Sequence, residues 1–294
     1  PKGDLPMEKS NPEDRGRDLQ SGALIRLRGI YPSLKAALQK VACLILSQPE
    51  MAIYASVNEV AAAARVSEAT VMRFWRILGY KGFQDFKISL ARELVVPPPR
   101  LPEDGGPTAL VRWIFKANLA ALEETLEVVE MRQLLQAGEL LGKCRRLIIG
   151  GFRGSGLAAQ YAAVRFPRLG LELRCFTETY QMAISAALLG REGALLAISH
   201  SGSTHGILAS ARVAKDSGAR VLAITSNPLA PLSRIADLVL VTAGREMTAA
   251  PDCLAAFLSQ ISIIDSLATL MKLARPDEAR ANLAKIERVL SMPV

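Results

Sequence analysis

The sequence predicts a two-domain α/β protein: an all-helical N-terminal part, then an open, doubly wound parallel sheet of five strands. Three observations carry this prediction. Before residue 95 the chain reads as helix throughout, with apolar residues recurring at intervals of three and four. The stretch VVPPPRLPEDGGP (95–107) cannot continue a helix, and its prolines and Gly-Gly step make a semi-extended linker. From residue 145 onward, short Val/Ile/Leu runs alternate with helical patterns, as expected for parallel strands covered on both faces. The predicted organisation is a mobile tail at 1–20, a helical domain at 21–94, a linker at 95–108 and an α/β domain at 109–294.

In chain order, Leu34, Ala37, Leu38, Val41, Leu44 and Ile45 define one face of a first helix. A short helix at 57–64 places Val60, Ala61 and Ala64 on one side. The turn Arg65-Val66-Ser67 leads into a helix at 68–78, with Ser67 as N-cap, Glu68 in the first turn and Gly79 as the stop. A further helix covers 84–94, and residues 108–141 form two more. The strands fall at 146–149, 171–175, 194–199, 220–225 and 237–241. Helices at 157–167, 180–189, 204–217 and 229–236 connect them, and helices at 251–273 and 276–290 follow.

Composition narrows the function classes. No segment approaches about 18 uncharged apolar residues, so a membrane span is not expected, and the polar first twenty residues lack the apolar core of a signal peptide. Cys43, Cys144, Cys175 and Cys253 form no C-x-x-C pair, which suits reduced thiols in the cytoplasm. With 2 histidines and scattered cysteines, no metal site is expected. The net charge of +8 is uneven: residues 21–94 hold ten basic and five acidic side chains, against five and seven in 95–144. A basic surplus suits nucleic acid or an anionic metabolite and decides between neither.

Two stretches carry chemistry. The helices at 57–64 and 68–78, joined by a tight turn, form a helix-turn-helix candidate. Ser67, Glu68, Thr70, Arg73 and Arg76 point outward from the second helix, where an arginine can pair with guanine in the major groove. Val71, Phe74, Trp75, Ile77 and Leu78 supply packing, while Lys40, Arg65, Lys81 and Lys87 are placed for phosphates. A small helical bundle with arginines on its solvated face has the same pattern. The second stretch, AISHSGSTH (197–205), puts the hydroxyls of Ser199, Ser201, Ser203 and Thr204 at the end of the third strand. Gly202 allows close backbone approach, and the helix starting near Thr204 adds N–H groups and a positive dipole end: an anion cradle, or a run of capping hydroxyls. Ser155, in GGFRGSGLAA (150–159), is its natural partner from the first strand's end. Gly154, Gly156 and Ala159 of that turn also satisfy the dinucleotide pattern G-x-G-x-x-G/A.

Residues 56–91, SVNEVAAAARVSEATVMRFWRILGYKGFQDFKISLA, resemble the N-terminal domain of the RpiR family of bacterial transcription regulators. The likeness rests on Val66–Val71, Arg73-Phe74, Leu78–Phe83 and Phe86-Lys87. From about 110 to 290 the chain resembles the sugar isomerase (SIS) domain that follows in that family. Here the matching motifs are Gly151-x-x-Gly154-Ser155, Ser199-x-Ser201-Gly202-x-Thr204, and Ala223-Ile224-Thr225 ahead of Ser226-Asn227-Pro228 and Pro231-Leu232. The resemblance implies operator-DNA binding, generally as a dimer, with Ser155, Ser199, Ser201 and Thr204 on the phosphate of a phosphosugar; a two-fold homodimer predicts a palindromic operator, and homodimer or homotetramer stays open. One departure stands out: where the family's first loop reads G-x-G-x-S, this chain has Arg153. That arginine either crowds the turn or grips a phosphate or carboxylate of the effector.

Three function classes follow. An NAD oxidoreductase needs a ribose-binding acid about 20 residues beyond the glycines, and Glu178 is the candidate. A phosphosugar isomerase needs a general base and a ring-opening acid, drawn from Glu178, Glu246, His200 and His205, none at a spacing that defines catalysis. A ligand-responsive regulator, with no enzymatic step and no cofactor, uses both halves of the chain, and is the reading expected to hold.

Overall fold

The structure is a computed structural model that describes residues 23–95, 106–167, 170–243 and 254–291. Its contacts separate two units: residues 23–27 with 34–95, and Arg28–Ser33 with the chain beyond the linker.

The first unit is helical. Helix Ala36–Ser47 buries Leu38, Val41, Ala42 and Ile45. The predicted face included Ala37, which is exposed; the buried stripe runs i, i+3, i+4, i+7 from Leu38 and takes Ala42 in its place. Helix Pro49–Tyr54 follows, then Val57–Ala64, which starts on a reciprocal capping box. The Glu59 amide donates to Ser56 Oγ (3.2 Å) and the Ser56 amide to Glu59 Oε2 (2.7 Å). Arg65 ends this helix in the left-handed region (φ 54°). Helix Glu68–Ile77 then begins on Ser67, whose hydroxyl accepts from the Thr70 amide (3.3 Å). It buries Val71, Phe74 and Trp75 and closes where Gly79, at φ +84°, lets the Tyr80 amide reach the Trp75 carbonyl (3.0 Å). Ile77, expected to pack, is 43% exposed: at i+3 from Phe74 it falls beyond the edge of the stripe set by Val71, Phe74 and Trp75. Helix Phe83–Val95 completes the core, with Phe83 and Phe86 stacked on Trp75 at 4.8 and 4.6 Å between ring centroids.

The second unit is built on five parallel strands: β1 (Arg146–Gly151), β2 (Glu172–Phe176), β3 (Gly193–Ile198), β4 (Arg220–Thr225) and β5 (Leu238–Val241). Their order is β2-β1-β3-β4-β5, so the direction of winding reverses between β1 and β3. Alternate residues divide between two layers, as the pleat dictates. Leu147, Ile149, Leu196, Ile198, Leu222 and Ile224 face helices Met131–Lys143, Gly154–Arg165 and Leu254–Ala274. Ile148, Leu195, Ala197, Val221 and Ala223 face helices Thr179–Ala187, His205–Asp216 and Pro231–Ile235.

Helix Gly106–Val128 leads into this unit, and Pro276–Leu290 follows Leu254–Ala274. Ala255–Ala274 is by length and composition apolar enough to cross a membrane despite its Asp265 and Lys272. In the fold its Ile263, Ile264, Leu267, Ala268 and Met271 are buried in the core of the second unit.

Candidate functional site

In an open α/β sheet the crevice at the strands' C-terminal ends, where winding reverses, is the natural ligand position. Here Gly151 of β1 pairs with Ile198 of β3, so the loops carrying Ser155 and Ser199–Thr204 leave adjacent strands at that point. β2 ends beside them and delivers Glu178, which is exposed. The topology therefore brings Arg153, Gly154, Ser155, Glu178 and the 199–204 loop to one sheet edge. Glu246, the remaining candidate, lies outside the described residues.

Three helices begin at this edge, with Arg153, Glu178 and Thr204 as N-caps, and none of these side chains caps its helix. The contrast with Ser56 and Ser67, which both do, distinguishes the two readings of the hydroxyl cluster. The Thr204 hydroxyl turns instead to Ser199 Oγ, 3.0 Å away. Side chains that decline to cap leave first-turn N–H groups for another acceptor, and the helix dipoles favour an anion.

The 199–204 loop is shaped from within. Ser199, 2% exposed, accepts the Gly202 amide on Oγ (3.2 Å). Gly202 itself has φ +62°, and a Cβ there would meet Ala230 Cβ at 2.4 Å and Thr225 Oγ1 at 2.9 Å, so only glycine fits. The His200 carbonyl accepts from Thr225 Oγ1 (3.0 Å) and Ser226 Oγ (2.8 Å), which ties the loop to the end of β4. Ser201 and Ser203 are exposed, and Thr204 is half-buried. A second close approach sets the neighbouring helix: a Cβ on Gly206 would fall 2.0 Å from Thr179 Cγ2.

In the first turn of helix Gly154–Arg165, Ser155 is nearly buried and accepts a hydrogen bond from Gln260 Nε2 (3.1 Å). Sequence reasoning missed Gln260; the only signal was a lone amide in a helix otherwise rich in Leu, Ile and Ala. Arg153 is exposed, at φ 54° and ψ −127°. These are the angles of the first central residue of a type II′ turn, which glycine normally occupies. Arginine here thus holds a backbone conformation of the kind that favours glycine.

A separate shallow cavity, lined by Arg146, Glu172, Arg174, Ser185, Leu188 and Leu189, lies toward the strands' other ends. The Arg146 guanidinium there already donates to the carbonyls of Leu188 (3.0 Å) and Leu189 (2.7 Å).

In the first unit, Arg65, Ser67, Glu68, Arg73, Arg76 and Lys81 are exposed and Thr70 is half-buried. Thr70 Oγ1 shares a 2.9 Å hydrogen bond with Ser67 Oγ. Ala69, Met72 and Ile77 join the outward face beside Arg73 and Arg76, adding apolar surface of the kind that meets thymine methyls. Lys87, considered for phosphate contact, places its ammonium over the Phe83 ring (4.7 Å to the centroid).

An exposed helix following a capped turn, joined to a doubly wound sheet with an anion-ready edge, defines a DNA-binding regulator with a small-molecule domain. Residues 21–96 match the family described as helix-turn-helix domain, rpiR family, and residues 140–270 match the SIS domain. An uncharacterized HTH-type transcriptional regulator of Caldanaerobacter subterraneus is 30% identical over 272 residues, which cover 90% of this chain and 96% of that protein. The bifunctional protein glk of Burkholderia thailandensis is 32% identical over 259 residues, 87% of this chain but 40% of its own length. Among solved structures, Vibrio vulnificus NanR complexed with ManNAc-6P aligns with a TM-score of 0.59 at 24% identity, covering 92% of this chain and 98% of that one. The chain belongs to the RpiR family of helix-turn-helix transcriptional regulators.

Proposed function

We propose that this regulator is a cytoplasmic repressor whose SIS domain binds a phosphorylated sugar or sugar acid and thereby alters its hold on a palindromic operator. The observation that carries the reading is the set of three helix starts left open by Arg153, Glu178 and Thr204, beside the hydroxyl-rich 199–204 loop. Ser201, Ser203, Thr204 and Ser155 donate to the phosphate, Ser199 and Gly202 hold the loop that presents them, and Gly154 keeps the turn open. Arg153 meets a second anionic group of the effector, with Glu178 and His200 toward the sugar hydroxyls. That the solved NanR relative is complexed with ManNAc-6P supports the ligand class.

Arg73 and Arg76 read base edges with Ser67, Glu68 and Thr70, and Arg65 and Lys81 meet phosphates. A second copy covers the exposed apolar stripe of helix Gly106–Val128, where Phe115 is 68% and Leu119 59% exposed, giving a homodimer or a tetramer built from it. No catalytic step is assigned. The test is a thermal-shift screen of the full chain against N-acetylmannosamine 6-phosphate, glucose 6-phosphate and 6-phosphogluconate, repeated with the DNA upstream of its own gene. A shift with at least one phosphosugar, changed by DNA, is expected. No shift with any of them, or turnover of one, overturns the reading.

A further inference from the structure

We propose that Gln260 is the positioning residue of the effector pocket, holding Ser155 as a donor, and that the adjacent Ser259 relays occupancy to helix Gly106–Val128. The inference rests on the phosphosugar reading above and goes beyond it to a route of response.

Gln260 is 2% exposed, and burying an amide this deeply in an apolar layer is costly unless it is hydrogen-bonded. It donates through Nε2 to Ser155 Oγ at 3.1 Å. A serine hydroxyl has one hydrogen to give and two lone pairs to receive with. With the amide N–H directed at its oxygen, Ser155 keeps its hydrogen for an incoming phosphate oxygen. An anion needs donors only, so this orientation is the one that serves it.

The preceding residue on the same helix faces another neighbour. Ser259 is fully buried, and its Oγ lies 2.9 Å from Thr125 Oγ1. Thr125 Oγ1 is also 2.6 Å from the Ala121 carbonyl and accepts the Ala243 amide at 3.0 Å. Consecutive side chains of helix Leu254–Ala274 therefore grip the effector loop on one side and helix Gly106–Val128 on the other. That second helix is the element through which the chain enters the SIS unit from the linker. Buried polar groups with fixed partners respond together when one partner changes, which suits them to relay a local event.

The experiment uses the full chain and whichever of N-acetylmannosamine 6-phosphate, glucose 6-phosphate and 6-phosphogluconate binds the wild type most tightly. Gln260→Met is expected to weaken binding about ten-fold by calorimetry. In a Ser155→Ala background the same change is expected to add no loss, because Gln260 acts through that hydroxyl. Ser259→Ala is expected to bind as the wild type does. Saturating ligand should slow amide exchange over residues 121–128 in the wild type, and this protection should be missing in Ser259→Ala. Losses that add in the double variant would make Gln260 a structural residue and overturn the positioning role. Protection that persists in Ser259→Ala would overturn the relay. If the wild type binds none of the three sugar phosphates, the phosphosugar reading falls first and this inference with it.

Discussion

Replacing Arg153 with glycine should stabilise the SIS unit and weaken effector binding, two effects of opposite sign from one substitution. Arg153 holds φ 54° and ψ −127°, angles that cost a non-glycine residue about 1–3 kcal/mol. Glycine relieves that strain but adds freedom to the unfolded chain, which offsets about 0.4–1 kcal/mol. The net gain is about 0.5–2 kcal/mol, or a rise of a few degrees in the melting temperature of this unit. Losing a charge-assisted contact to the effector costs about 1.5–3 kcal/mol, which is about 10- to 150-fold in affinity. Differential scanning calorimetry reads the first effect, and titration with 6-phosphogluconate and glucose 6-phosphate reads the second. The larger loss is expected for the sugar acid, whose carboxylate matches the guanidinium fork. Arg153→Ala should lose affinity without the full gain in stability, since alanine retains the strained backbone. A glycine variant that is more stable yet binds both ligands as before would show that the arginine serves no effector contact.

Arg73→Ala should cost about 1–3 kcal/mol in operator affinity and relax preference at one base position, whereas Lys81→Ala should weaken all sequences evenly and reduce the salt slope by about one. Fluorescence anisotropy over a potassium chloride series, with operator and scrambled duplexes, separates the two; an even loss for Arg73→Ala would remove it from base reading. Burial pushes the Asp237 carboxyl up, but hydrogen bonds from Lys215 Nζ (2.7 Å) and the Val221 amide (2.8 Å), with Arg220 at 3.1 Å, outweigh it and hold the group below its ordinary value. Because the folded value is the lower one, this stabilisation is present in full above the ordinary carboxylate range and disappears as pH falls through the depressed value. Asp237→Asn should therefore destabilise by about 1–2 kcal/mol at pH 7 and progressively less below pH ~4, as urea titrations at several pH values would reveal. A penalty independent of pH would refute the assignment. The Cys144 thiol, pushed up to about 11 by burial, should resist iodoacetamide at pH 8 until the chain unfolds. Mass spectrometry of the native protein tests this, and fast labelling of Cys144 would contradict it.

The strands were legible because Arg146–Gly151, Gly193–Ile198 and Arg220–Thr225 are short apolar runs between helical patterns, and buried parallel strands have that composition. The two loops could be placed because each follows such a run directly. What sequence could not reveal was how the hydroxyls are spent. Ser199 and Thr204 look equivalent to Ser201 and Ser203 in the string, yet the first two are 3.0 Å apart and bonded to each other. Gln260 stayed hidden because its partner lies 105 positions away, and pairing across that separation leaves no local signature. Ala37 and Ala42 could not be ranked because both sit beside the apolar stripe of one helix, and tertiary neighbours decide which is covered. Arg153 was visible as a departure, but its conformation was not.

The glycines of GGFRGSGLAA show why a motif and its structural use must be separated. In a dinucleotide turn the middle glycine lets backbone approach a pyrophosphate. In this chain a Cβ on Gly156 would lie 3.1 Å from the Gly151 carbonyl oxygen, and one on Gly151 would lie 2.2 Å from the Ser155 carbonyl oxygen. Both glycines therefore serve to start the helix tight against β1, so of the pattern's two glycines Gly156 is accounted for by packing alone. Gly154, by contrast, has nothing within 4 Å, so packing does not explain it. It follows the one residue of the turn with glycine-like angles and precedes the serine held by Gln260. Gly154→Ala discriminates the two uses: with open space at that position it should fold normally and lose sugar-phosphate affinity, whereas Gly156→Ala should fold less stably.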